Sequence, residues 1–213
     1  MNGILFKPKL IKQIAAGEKD VTRRLGGLKE INLEPDKWKL VAWDNLAFLF
    51  ECHGSNYVPD GHTLKLKPRY HIGEVVFIRE AWATIWMYLD LPPTRLPKYA
   101  TIWFKDTDMD KPDDIGRWRS PLHLPARFAR HFIQITDVSS ERLQDITDEE
   151  SLREGCPTFE MRGIDGELHN AVIPTFWFES IWNSINPDYP FDSNPWVFRY
   201  AFKHLPNYKY EVK

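Results

Sequence analysis

The sequence predicts an α+β fold, a small β-barrel with short helices at its ends, in a single domain over residues 1–213. Short strand-like segments are mixed with three segments that have apolar residues at helical spacing. The composition, 43% hydrophobic and 27% charged, is typical of a globular chain long enough to bury a core. Two irregular segments, at about residues 83–118 and 156–173, are predicted to be insertions into this fold.

The predicted strands are short apolar runs bounded by turn residues. Asp44 and Asn45 predict the turn of a hairpin over residues 40–50. In the last strand, over residues 195–203, four aromatic residues share one face because strand side chains alternate. The other predicted strands cover residues 4–6, 73–80, 100–104 and 126–138. Residues 19–25 are predicted to be a loop that runs into a further strand.

Residues that favour helix ends mark the three predicted helices. The first begins at Pro8 and stops at Gly17. The second begins with a capping box at Thr147, whose hydroxyl and the glutamate three residues later satisfy free backbone amides, and it ends at Gly155. The third is amphipathic and begins near Pro174.

Charge and cysteine content predict a cytoplasmic protein that does not span a membrane. No apolar run approaches the roughly 20 residues that cross a bilayer, and the N-terminus lacks the features of an export signal. Cys52 and Cys156 are too few for a disulfide framework. The net charge of −2 gives no overall attraction to nucleic acid. Basic residues gather in residues 7–29 and 117–130, either as solvated surface or as a local anion-binding face.

Motif spacing argues against a cofactor or a metal. The sequence has no glycine-rich phosphate-binding loop and no GxSxG nucleophile elbow. Cys52 and His53 have no second pair at zinc-ligand spacing. The aspartates that begin at Asp106 resemble the start of a calcium loop, but Lys111 stands where that loop needs glycine and Arg117 where it needs glutamate. We therefore expect neither a cofactor nor a metal ion.

The segment GEKDVTRR carries the first candidate site. If a strand begins at Val21, Thr22 and Arg24 point to one face, and Lys19 reaches the same site from the loop before it. A hydroxyl, an amine and a guanidinium suit a nucleophile, a base and an oxyanion-stabilising group. The amine can act as a base only if burial or neighbouring cations lower its pKa. The alternative is a helix end followed by surface cations.

Glu154 is the second candidate. It lies in the last turn of the second predicted helix, where the negative end of the helix dipole disfavours a carboxylate. Local rules of this kind often fail at functional sites, so Glu154 is a candidate general acid or base. The alternative is an exposed glutamate at a frayed helix end.

Segments that combine tryptophan with hydrogen-bonding groups provide candidate substrate-binding residues. Aromatic side chains beside cations are what the stacking of an unpaired base requires. Core packing explains many tryptophans equally well, and a single histidine is often structural. With the two arginines of the first segment, the candidates are Arg23, Arg24, Glu80, Trp82, Arg119, Ser120, His123 and Asn194.

Taken together, five segments resemble the ASCH domain, a family with a PUA-like β-barrel fold. They are GEKDVTRR, GEVVFIREAW, ARHFIQITDV, LQDITDEESLREG and NPWVFRYAF. The resemblance extends from about Ile4 to His204, and it is strongest to the longer ASCH-like proteins of bacteriophage and prophage genomes. It implies that the fold is a PUA-like barrel.

The resemblance also implies a function. Small bacterial ASCH proteins similar to this chain are N4-acetylcytidine amidohydrolases, and their catalytic lysine, threonine and glutamate match Lys19, Thr22 and Glu154. Lys19 would activate Thr22 as the nucleophile, and Glu154 would transfer protons. Asp20 replaces the usual second threonine and places a carboxylate near the site. Other relatives bind RNA or modified bases without turnover, or are ribonucleases. The expected partner is thus a modified nucleoside or single-stranded nucleic acid, bound by a monomer or small homo-oligomer.

Overall fold

The structure, a computed structural model, describes residues 1–44, 46–105, 115–158, 160–162, 168–170 and 172–210. These residues form a mixed fold in which sheets dominate and three α-helices are present, as the sequence predicts. The elements in chain order are β1 (Gly3–Leu5), α1 (Pro8–Ala16), β2 (Val21–Arg24), β3 (Trp38–Trp43), β4 (Phe48–Cys52), β5 (Thr63–Leu66), β6 (Val75–Arg79), β7 (Trp82–Ala83), β8 (Trp103–Phe104), β9 (Phe132–Arg142), α2 (Asp148–Arg153), β10 (Glu160–Arg162), β11 (Leu168–Asn170), α3 (Pro174–Ile185) and β12 (Trp196–His204).

The contacts between residues divide the chain into two compact units. The first unit consists of Met1–Gly17, Val75–Gln134 and Lys203–Lys213, and the second of Glu18–Glu74 and Ile135–Phe202. The single domain and the small β-barrel that the sequence predicts stay predictions. None of the helices among the described residues combines the length and apolar character that crossing a bilayer requires.

The first unit contains β1, α1, β6 and the start of β9. β1 pairs in parallel with β6, and β6 pairs antiparallel with β9. Pro8 opens α1 as predicted, and the apolar side chains at Leu10, Ile11 and Ile14 are buried. Gly17 ends the helix with a φ of 80°, a left-handed conformation that glycine adopts without steric cost.

The second unit contains an antiparallel sheet of β3, β4 and β5 and a pairing of β2 with β12. The predicted hairpin is confirmed, and Asp44 Oδ1 accepts hydrogen bonds from the amides of Leu46 and Ala47 in its turn. Asn45, the other predicted turn residue, lies outside the described residues. β2 runs antiparallel to β12, with Thr22 opposite Tyr200. β5 is a strand that the sequence pattern did not predict.

The long strand predicted over residues 126–138 begins only at Phe132. Residues 126–128 instead form a short 3-10 turn after Pro125. The two arginines of this segment have partners outside the strands. Arg127 donates to backbone carbonyl groups and Arg130 binds Glu80. The strand predicted over residues 100–104 is likewise reduced to the two residues of β8.

The two predicted insertions are more regular than expected. Residues 156–173 contain a hairpin in which β10 and β11 pair antiparallel. The first insertion, at residues 83–118, contains short 3-10 turns at 86–88 and 93–95 and the strand β8. Residues 106–114, which include Asp106 and Lys111, lie outside the described residues. Long-range pairing and side-chain contacts fix these segments, and a local pattern carries little of that information.

Candidate functional site

Backbone hydrogen bonds fix the loop that carries Lys19. The amide of Asp20 donates to the carbonyl oxygen of Arg153 at 3.1 Å, and the carbonyl oxygen of Asp20 accepts from the amide of Phe202 at 2.8 Å. The loop is therefore attached to the end of α2 on one side and to β12 on the other. As a result, Lys19 is only 2% exposed, although it lies in a loop just before β2.

The helix α2 positions Glu154. Thr147 caps the N-terminus of α2 by accepting a hydrogen bond from the Glu150 amide at 3.2 Å. At the other end, the Glu154 amide donates to the Glu150 carbonyl oxygen at 2.9 Å, and Gly155 leaves the helix with a φ of 96°. Glu154 is 6% exposed, so the alternative of a frayed surface glutamate is wrong.

Replacing Thr147 with alanine tests how far the cap supports this arrangement. Loss of the N-cap acceptor is expected to lower the free energy of unfolding by about 1 kcal/mol. Thr147→Ser keeps the acceptor and is the matched control, expected to stay close to the original chain. Denaturant unfolding followed by circular dichroism measures both variants. Equal stability of the two would show that the cap contributes nothing.

Lys19 and Glu154 form a buried ion pair. Lys19 Nζ lies 2.6 Å from Glu154 Oε2. It also donates to the carbonyl oxygens of Glu154 at 2.6 Å and Val21 at 2.7 Å. These three oxygens match the three donors of an ammonium group. Burial lowers the pKa of Lys19, and the adjacent Glu154 carboxylate opposes that shift.

Arg23 is the second cation at Glu154. Its Nη1 lies 3.2 Å from Glu154 Oε1, so each carboxylate oxygen of Glu154 faces a different cation. The same guanidinium binds Glu141 through Nε at 2.7 Å and Glu150 through Nη2 at 3.0 Å. The Arg23 side chain is only 1% exposed. Arg23 thus serves as a buried structural link between three carboxylates, and its predicted role in substrate binding stays a prediction.

Thr22 and Arg24 both lie in β2, where alternation gives them a common face. Thr22 is buried on this strand. Opposite Thr22, Tyr200 accepts a hydrogen bond from the Arg69 amide at 3.0 Å, and burial raises its pKa to about 12. Burial also lowers the pKa of Arg24, and Glu154 opposes that shift. Tyr200 therefore stays a neutral hydroxyl near these groups.

Glu150 is the centre of an ion-pair network that the sequence interpretation missed. The capping-box pattern assigned its side chain to the start of α2. Instead, the carboxylate accepts from Arg199 Nε and Nη2, both at 2.8 Å, from Arg23 at 3.0 Å and from Arg153 at 2.9 Å. Arg153 also binds Asp20 at 2.9 and 3.1 Å. The Asp20 carboxylate, which the resemblance places near the site, is thus paired with Arg153.

The network makes the free energy of unfolding depend on the pH of the solution. The hydrogen bond from Arg199 is the main reason that the pKa of Glu150 falls from 4.5 to about 2. A carboxylate with a lowered pKa in the folded state stabilises the fold above pH 4.5, and that contribution is lost as the pH falls through about 2. Glu150→Gln is therefore expected to lower stability at pH 7 and to flatten its decline below pH 4.5.

The loss at pH 7 is expected to be about 1–3 kcal/mol, because Arg199 and Arg23 each lose a charged acceptor. Thermal unfolding recorded at a series of pH values measures it. Glu149→Gln changes the exposed neighbour and is the matched control. If both variants gave the same pH profile, the network would contribute nothing to acid sensitivity.

Five predicted substrate-binding residues belong to the first unit. Trp82 is fully buried among Leu96, Phe104 and Leu124, which is the core-packing alternative considered for the tryptophans. Glu80 is buried and binds Arg130 through both carboxylate oxygens at 3.0 and 2.5 Å. The remaining three, Arg119, Ser120 and His123, line a cavity described below.

Asn194 lies in the second unit, in the turn before β12. Its φ of 42° is left-handed, which asparagine tolerates better than most residues. Its Oδ1 accepts from the Gln144 amide at 2.9 Å, and its carbonyl oxygen accepts from Arg142 Nε at 2.8 Å. These bonds explain why asparagine suits this turn, and its role in substrate binding stays a prediction.

The structure thus brings Lys19 and Glu154 together and places Thr22 on the strand that follows Lys19. Among the described residues, no three His, Cys, Asp or Glu side chains are grouped so that they could hold a metal ion. Comparison of the chain with protein-family models, with curated proteins and with solved structures gave no match in any of the three.

Proposed function

We propose that this chain is an ASCH-type amidohydrolase with a PUA-like barrel, which removes an acyl group from the exocyclic nitrogen of a modified cytidine. The observation that carries the proposal is the pairing of Lys19 with Glu154 at 2.6 Å across 135 residues of sequence. Thr22 lies in β2, the strand that begins just after the loop carrying Lys19. These are the three residues, and the three chemical groups, that the resemblance assigns to the reaction.

The proposed first step is transfer of the acyl group to Thr22. A proton moves from Lys19 Nζ to Glu154 Oε2, which leaves a neutral amine and a carboxylic acid. The amine removes the proton of the Thr22 hydroxyl as its oxygen attacks the acyl carbon. The bond from that carbon to N4 then breaks, and N4 takes the proton held by Glu154. Cytidine leaves, an ester remains on Thr22, and Lys19 and Glu154 regain their charges.

The proposed second step hydrolyses that ester in the same way. After a second proton transfer to Glu154, the Lys19 amine removes a proton from water as the water oxygen attacks the ester carbon. The bond to Thr22 breaks, and the Thr22 oxygen takes its proton from Glu154. The products are cytidine and the free acid, which loses its proton to solvent.

The environment of Lys19 supports a role as a base. A lysine at the surface is protonated at neutral pH, and burial is the effect that most favours its neutral form. Burial lowers the pKa of Lys19 against the opposing effect of the Glu154 carboxylate, and the charges of Arg24 and Arg23 add to the lowering. Arg24 shares the face of Thr22 on β2, where its guanidinium suits the negative charge that forms on the attacked oxygen.

Incubation of the purified full-length chain with N4-acetylcytidine tests the proposal. We expect release of cytidine and acetate in equal amounts, and chromatography measures both products. Absence of turnover overturns the proposal. Salt-dependent binding of single-stranded RNA that is lost in Arg24→Ala, without turnover, would identify a binding module instead. Cleavage of the RNA backbone would identify a ribonuclease.

A further inference from the structure

The first unit contains a cavity of about 640 Å³. One wall is the segment 89–93, which includes two leucines and two prolines, and the other is the segment 117–123. The second wall contributes Arg117, Trp118, Arg119, Ser120 and His123. The volume lies within the range of about 300–1,000 Å³ that small-molecule sites occupy.

Arg119 holds one side of this cavity in place. Its guanidinium lies 5.0 Å from the centre of the buried Trp82 ring. It donates three hydrogen bonds to backbone carbonyl oxygens, those of Tyr88 at 2.7 Å, Leu89 at 2.7 Å and Leu91 at 2.9 Å. The Tyr88 carbonyl oxygen also accepts from the Leu91 amide at 3.2 Å. Arg119 adds donors to carbonyl groups that lie outside the strands, and this fixes the loop.

Arg127 fixes the next part of the same loop. Its Nη2 lies within hydrogen-bonding distance of three carbonyl oxygens, those of Pro93 at 3.1 Å, Thr94 at 3.3 Å and Leu96 at 3.0 Å. Two arginines therefore hold a proline-rich loop that lacks strands. A loop fixed in this way keeps an open cavity beside it, and preformed cavities are where small ligands bind with the least loss of conformational entropy.

The groups that line the cavity favour an anion. Burial lowers the pKa of Arg119, and the positive charge of the exposed Arg117 lowers it further. Asp90 acts in the opposite direction. The lining thus contains two arginines and one aspartate, with His123 exposed beside them. A bound anion would reduce the repulsion between the two guanidinium groups.

The lining also provides an aromatic surface. Trp118 is partly exposed, unlike Trp82, and it lies between the two arginines in the sequence. A partly exposed indole beside a cation suits a flat heteroaromatic ring, because the ring stacks on the indole while the cation binds a charged substituent. The leucines and prolines of the segment 89–93 supply the apolar surface for the opposite side of such a ring.

We propose that this cavity binds a nucleoside monophosphate, with the base on Trp118 and the phosphate at Arg117. Arg119 and Arg127 are positioning residues that hold the loop, and Ser120 and His123 provide further donors at the rim. The proposal does not rest on the amidohydrolase activity, because all of its residues belong to the first unit.

Isothermal titration of the full-length chain with adenosine 5′-monophosphate tests the proposal. Adenosine and inorganic phosphate are titrated separately, and each is expected to bind at least tenfold more weakly than the complete nucleotide. An equal affinity for phosphate alone would overturn the role of the aromatic surface, and an equal affinity for adenosine would overturn the role of the cations. Absence of nucleotide binding would overturn the proposal as a whole.

Two matched pairs of variants assign the binding to this cavity. Trp118→Ala is expected to weaken nucleotide binding about tenfold, whereas Trp86→Ala, at an exposed tryptophan outside the lining, leaves it unchanged. Arg117→Gln is expected to reduce the affinity to that of adenosine, and Arg95→Gln is its exposed control. Nucleotide binding that persists in both Trp118→Ala and Arg117→Gln would show that the ligand binds elsewhere and overturn the proposal.

Discussion

Replacing Lys19 with methionine is expected to lower the free energy of unfolding by about 3–5 kcal/mol. Methionine fills a similar space but leaves the Glu154 carboxylate buried with one of its two cations missing. It also leaves the carbonyl oxygens of Val21 and Glu154 without the donors that Lys19 Nζ provides. Urea unfolding followed by tryptophan fluorescence measures the change.

Two comparisons separate this effect from the general loss of a lysine. Lys65 forms an ion pair of similar length with Asp44, 2.5 Å, but the Lys65 side chain is 56% exposed. Lys65→Met is therefore expected to leave stability nearly unchanged, because water already solvates both charges. The double variant Lys19→Met/Glu154→Leu removes both buried charges and should recover part of the loss. If Lys19→Met and Lys65→Met had the same free energy of unfolding, the buried ion pair would not provide the expected stability.

Replacing Thr22 with valine is expected to reduce deacetylation of N4-acetylcytidine on the order of 10³-fold or more, since valine removes the proposed nucleophile. Valine keeps the shape of threonine and suits a β-strand, so the pairing of β2 with β12 should persist. Initial rates of cytidine release, measured beside the thermal unfolding midpoint, separate lost chemistry from lost structure.

Thr22→Ser keeps a hydroxyl at the same position and is the matched control, expected to retain activity within about tenfold of the original chain. Thr63→Val removes an exposed hydroxyl from β5 and should leave the rate unchanged. Equal rates in Thr22→Val and the original chain would remove Thr22 from the mechanism, even if the chain deacetylates its substrate by another route.

Much of the fold could be predicted because its signals are local. Pro8 and Gly17 bound α1, and Thr147 and Gly155 bound α2, as capping rules predict. Glu154 lies at the C-terminus of α2, as the sequence also predicts. Its carboxylate is stabilised there by Lys19 and Arg23, two cations that come from a distant part of the sequence.

What the sequence did not predict depends on long-range contacts. The capping-box pattern at Glu150 is local, but the carboxylate binds Arg23 and Arg199, which lie 127 and 49 residues away. In the same way, the alternation around Arg127 suggested a strand, and its partners are carbonyl groups of a loop more than 30 residues earlier. The local periodicity of a sequence does not identify partners that lie so far away along the chain.

The enclosure of Lys19 also has a consequence for chemical labelling. Reagents that acylate amines need an accessible, unprotonated nitrogen, and Lys19 Nζ is both buried and hydrogen-bonded to three oxygens. Surface lysines should therefore be modified first, and modification of Lys19 should be faster whenever the loop before β2 separates from the end of α2. The time course of its modification, read by peptide mass spectrometry, would report how often that part of the second unit opens.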